Sequence, residues 1–94
     1  MDFSPIYNHH ESEVIAEVAA SADKFPEFSN EPDLLMDVAC VALNRLPPRY
    51  IRHAVDYSFY LTEQERREVE NSIKDAVAFA YAFVGARQSM KAER

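Results

Sequence analysis

Between Val38 and Val55 the chain carries Arg45, Arg49, Arg52 and His53 but no aspartate or glutamate. A guanidinium fork binds a phosphate through two parallel hydrogen bonds and stacks on flat rings, and Tyr50 beside it adds an aromatic face for a base. Asn44 contributes an amide that both donates and accepts. Pro47 and Pro48 stiffen the backbone within this group, which lowers the entropic cost of ordering a site. The chemistry such a set can do is recognition of an anionic, ring-bearing ligand. A plainer reading uses the same residues: the arginines pair with acids such as Glu63, Glu65, Glu68 and Glu70, and Tyr50 lids the core. Both readings stay open on residue chemistry alone.

Asp37 lies within the apolar run "LLMDVAC". A carboxylate is expensive to bury unless it is paired or accepts several hydrogen bonds. Asp37 therefore either bridges to Arg45, Arg49 or Arg52, or presents its oxygens to the N1–H and N2–H edge of a guanine. Cys40 is the one cysteine, and its apolar neighbours predict a small buried thiol in a reducing compartment. His9 and His10 are adjacent, so on a helix they point apart and read as solvated surface residues. No Ser-His-Asp set, carboxylate pair, HExxH, CxxC or phosphate-cradling glycine loop is present, and the chain has a single glycine. The expectation is a protein that is not an enzyme, with no catalytic residue, metal ligand or cofactor.

These residues must be positioned by a chain of 94 residues, 48% of them apolar, which predicts one domain over residues 1–94 with a core over about residues 4–85 and a tail over 86–94. The scarcity of glycine and the periodic apolar runs predict an all-α fold. The net charge of −6 argues against direct binding to nucleic acid polymers, which relies on many cations neutralising phosphates. The start "MDFSPIYNHHESE" has neither the basic residues nor the apolar core of a secretory signal, and no run approaches the ~20 apolar residues that span a bilayer. A cytoplasmic protein without membrane contact is expected.

Three main helices are predicted. Ser4 and Pro5 suit the start of the first, followed by the stripe Tyr7, Val14, Ile15, Val18, Ala19 and Ala22. "KFPEFSNEPD" reads as an ordered loop that tucks Phe25 and Phe28 into the core, and Pro32 begins the second helix with Asn30 or Glu31 as its cap. The second helix is apolar nearly all round until Asn44, so it must be covered on all sides; a second copy of the chain would complete that cover. The double proline ends it, and "RYIRHAVDYSFYL" reads as irregular or partly extended, anchored by Tyr50, Ile51, Val55, Tyr57, Phe59, Tyr60 and Leu61. "TEQE" is a capping box that opens the third helix at Thr62, its stripe runs from Val69 to Val84, and Gly85 is placed to end it in the left-handed conformation.

"DVACVALNRLPPRY", followed by an aromatic segment and a closing amphipathic helix, resembles the late competence development protein ComFB family of bacteria. The resemblance covers most of the chain, and the matching positions are Asp37, Asn44, Leu46, Pro47, Pro48, Arg49 and Tyr50, with Arg45 and Arg52 adjacent. It implies a small all-α protein, commonly dimeric, of a family with members described as receptors for the second messenger cyclic di-GMP, and it does not imply catalysis. Together with the cationic group it leads to the expectation of a homodimer that binds cyclic di-GMP and signals through an unknown protein partner. Within that expectation the arginines meet phosphates or stack on guanines, Tyr50 stacks, and Asp37 or Asn44 reads a guanine edge. The rival expectation is a structural adaptor homodimer with no small ligand. Some relatives carry cysteines before the second helix that suggest a metal, but "KFPEFSNEPD" has none, so that property does not transfer.

Overall fold

His10, Val14, Val18 and Ser21 recur at helical spacing and all four are buried, which defines the inner stripe of α1, His10–Ser21. The computed structural model describes residues 1–92. Ahead of α1 lies a short strand β1, Tyr7–Asn8. After it come two 3₁₀ turns, Ala22–Lys24 and Pro26–Phe28, then α2, Pro32–Arg45. A second short strand β2, Tyr50–Ile51, is followed by α3, Ala54–Tyr60, and by the 30-residue α4, Glu63–Ala92. The all-α expectation holds, with α1, α2 and α4 as the main helices and α3 as a short fourth among the described residues. The expectations for the Tyr60 side chain and for the last two residues of the tail lie outside what is described.

One apolar cluster joins the three main helices: Val14 and Val18 from α1, Val38 and Ala42 from α2, and Ile73, Ala76, Val77, Ala80, Tyr81 and Val84 from α4. Phe28 enters from the loop, as expected, and Phe25 packs against the cluster beside it. The Tyr81 ring stacks on Phe25 at 4.1 Å between centroids and meets Phe28 edge-on at 5.2 Å. Its hydroxyl donates to the Val18 carbonyl at 2.6 Å, so the one polar atom of this buried ring is satisfied. Asn30 turns the chain into α2 with φ 62°, a left-handed conformation that asparagine tolerates, and Pro32 stands at the first position of α2 with Glu31 at its cap.

Several expectations are corrected. The first helix does not begin at Ser4 and Pro5. The Ser4 N–H and hydroxyl both donate to the Asp2 carboxylate, closing a turn, and Tyr7–Asn8 is held extended by pairing with β2. The segment after the double proline is not irregular, since only Tyr50–Ile51 is extended and Ala54–Tyr60 is helical. Gly85 does not end α4; the helix continues through it to Ala92, and the tail is its last turns. Thr62 does cap α4, accepting from the Glu65 N–H at 3.1 Å. Cys40 is exposed, not buried. It lies two residues from each of the buried Val38 and Ala42, a rotation of about 200° that turns it to the outer face of α2.

The shortest dimension of the molecule is 20 Å, room for two layers of helices about 10 Å apart. Without a third layer, the outer face of α2 stays open, and Met36 is 60% exposed. Gly85 offers a direct test of the helix through it. A β-carbon there meets only the Phe28 ring, at 3.8 Å from Cζ and 4.0 Å from Cε2, ordinary contacts. Gly85→Ala is expected to stabilise the protein by about 0.5–1 kcal/mol, the usual gain inside a helix, read as a rise in the urea unfolding midpoint.

Candidate functional site

The end of α2 is set by its sequence: Leu46 leaves the helix in an extended conformation and the two prolines that follow cannot re-enter it. The chain then runs back along the amino-terminal segment, pairing Tyr7 with Ile51 and Asn8 with Tyr50 in antiparallel register. The Asn8 side-chain oxygen accepts from the Arg49 N–H at 3.1 Å and from the His10 N–H at 3.2 Å. The His9 N–H donates to the Arg49 carbonyl at 2.8 Å. One asparagine therefore ties the proline turn to the start of α1, and Arg49 is fixed by its backbone while its side chain stays exposed.

Two of the arginines rest on aromatic rings of different elements. Arg45 lays its guanidinium over the Phe79 ring of α4 at 3.7 Å, a cation–π contact. The Arg49 guanidinium lies 5.6 Å from the centre of the Tyr57 ring. Asn44, Tyr50 and Arg52 are exposed, Tyr50 by 67%. Among the described residues none of the three arginines makes an ion pair; the pairing with Glu63, Glu65, Glu68 or Glu70 does not form. Asp37 stands apart from the group. It is exposed, forms no bridge to Arg45, Arg49 or Arg52, and lines a shallow groove with Cys40, Phe83, Arg87 and Lys91, about 10 Å along α2 from Asn44.

A cleft of about 550 Å³ opens beneath the proline turn, between it and α4. Its apolar walls are Leu46, Pro47, Pro48, Leu61 and Val69, and its polar lining is His10, Arg49, Glu65, Glu68 and Ser72. A smaller neighbouring cleft shares Leu61 and Val69 and is lined by His9, Glu13, Tyr57 and Arg66. His10 is 7% exposed, which corrects its expected place on the surface. Burial lowers the pKa of its imidazole below the ordinary value, with His9 and Arg49 adding to the effect and Glu13 opposing it. The Nδ1 of His10 and the hydroxyl of Tyr57 are buried without a hydrogen-bond partner. His9 is half-buried as well, its Nε2 lying 2.7 Å from Glu13 and its ring 4.0 Å from that of Tyr57. The 4-residue step from His10 to Val14 was the sequence signal for the buried histidine, since it continues the stripe of Val14 and Val18.

No group of three or more His, Cys, Asp or Glu that could hold a metal occurs among the described residues, and none of their helices is long and apolar enough to cross a membrane. The fold is thus a thin all-α domain arranged around a cationic, proline-stiffened turn. The chain belongs to the late competence development protein ComFB family, whose model matches residues 7–88. No curated protein and no solved structure was found to match it.

The Asn8 tie is testable by itself. Asn8→Ala removes an acceptor shared by two N–H groups and is expected to cost about 1–2 kcal/mol, whereas Asn8→Asp keeps the acceptor and most of the stability. Urea unfolding of the two variants separates lost hydrogen bonding from a general intolerance of change at this position.

Proposed function

We propose that this protein is a non-enzymatic receptor for a nucleotide second messenger, cyclic di-GMP, and that it signals through a protein partner. The observation that carries the reading is the group Arg45, Arg49 and Arg52, exposed beside Tyr50 and without ion pairs among the described residues of a chain of net charge −6. Cations left without carboxylates in an acidic protein are available to an anion, and family membership agrees with that use. Arg49 and Arg52 meet the phosphates, Arg45 and Tyr50 offer faces for stacking, and Asn44 lies close enough to Arg45 to contact a base. Binding then biases the segment after Pro48, and the partner reads the shifted population.

The experiment is isothermal titration with cyclic di-GMP, using cyclic di-AMP and GTP as controls. Selective, saturable binding is expected, and Arg49→Ala is expected to weaken it by about tenfold or more through loss of a charge-assisted contact, with the fold retained. Loss of stability in that variant, with no binding by the parent protein, supports instead an adaptor that takes no small ligand.

The working form in this reading is a homodimer through the outer face of α2. Ile15 of α1 is 52% exposed and Met36 of α2 is 60% exposed, and with Ala19, Ala39, Cys40 and Leu43 they line a largely apolar groove between these helices that Glu11 also borders. A second copy of the chain presenting the same groove about a twofold axis would cover this face. Light scattering after gel filtration is expected to give twice the monomer mass, and Met36→Glu is expected to give the monomer mass with helicity unchanged.

A further inference from the structure

We propose that the cleft beneath the proline turn is a guanine pocket, in which α4 supplies the carboxylate that reads the base and Arg49 faces its opposite edge. The proposal rests on the receptor reading above and moves the base-reading role from Asp37 to Glu65 and Glu68.

Three observations converge on it, and the place of His10 supplies a readout. The cleft has the ~300–1,000 Å³ size of small-ligand sites. Pro47 and Pro48 line it with rigid ring faces, which suits a flat heterocycle more than a flexible chain. His10, more than nine-tenths buried, lies on its wall; its unpartnered Nδ1 is closed off from solvent, so a ligand in the cleft acts on the imidazole by displacing the ring or changing its surroundings. Glu65 and Glu68 are three residues apart on α4 and share one face, so both carboxylates border the cleft while Arg49 borders it from the turn.

The charges then decide what enters. Two carboxylates repel a phosphate from the cleft itself, so the phosphates stay outside it. Guanine presents two adjacent donors, N1–H and N2–H, on one edge and two acceptors, O6 and N7, on the other. A carboxylate accepts from the first edge, and an arginine fork donates to the second. Adenine offers an unprotonated N1 where the carboxylate needs a donor, so the same pocket disfavours it. Asp37 has no comparable surroundings, since the cations beside it, Arg87 and Lys91, belong to another groove.

The test pairs two variants with two ligands. Glu65→Gln/Glu68→Gln keeps side-chain size and, through an amide at position 65, the capping pattern of α4; thermal unfolding checks that it folds. It is expected to weaken cyclic di-GMP binding by about tenfold or more, whereas Asp37→Asn changes it by less than about twofold. The reverse pattern overturns the guanine pocket and leaves the receptor reading standing. In parallel, the imidazole NMR signals of His10 are followed as guanosine or adenosine is added. Movement with guanosine alone supports the pocket even if the dinucleotide does not bind, a combination that removes only the receptor reading. No movement with guanosine and no binding of cyclic di-GMP overturns both.

Discussion

Tyr81 holds this fold together. Its ring is the largest fully buried side chain of the core, and it touches three parts of the chain at once. The hydroxyl fastens α4 to the backbone of α1 at Val18, one face stacks on Phe25, and an edge meets Phe28. A phenol is suited to this because its apolar body joins the core while its oxygen meets a carbonyl that the helix leaves available. The connection from α1 to α2 is thereby pinned against α4, and α2 can pack along α4 through Val38 and Ala42.

With the helices so arranged, the far end of α2 comes beside the start of α1, and the same local economy recurs there. Asn8 accepts two backbone hydrogens, and β1 and β2 add a short ladder of bonds. The turn's rigidity therefore has two sources, the fixed φ angles of Pro47 and Pro48 and this tie to the amino-terminal segment. Rigidity matters for recognition because a side chain on a fixed backbone loses less entropy when it engages a ligand. Arg49 has such a backbone and an exposed guanidinium close to the Tyr57 ring, and His10 lies on the wall of the cleft that it borders.

The opposite face of α2 poses a different problem. Apolar residues occur on nearly every side of this helix, yet the thin fold covers only some of them. The core takes Val38 and Ala42, while Met36 and Cys40 face outward. Single exposed apolar side chains are ordinary on protein surfaces; a run of them continued by Ile15 and Ala19 across the neighbouring helix is not. One end of α2 thus carries a cationic turn, and its length carries an exposed apolar face.

The sequence by itself determined the helical class, the limits of α2, the Thr62 cap and the burial of Phe28, because caps, prolines and periodic apolar residues act over a few neighbouring positions. It also identified the cationic turn, since charge can be counted without knowing where it folds. Only the tertiary structure decided which of those residues share a surface. Asp37 is near Arg45 in sequence but lies two turns away on α2, whereas Glu65 and Glu68 are distant in sequence and border the cleft that Arg49 lines. His10 and Cys40 exchanged their expected places for the same reason. Burial depends on where neighbouring helices lie, and a residue type alone cannot specify that. Gly85 continues α4 because packing along α2 outweighs the helix-weakening tendency of one glycine, a balance set by contacts between segments far apart in the chain.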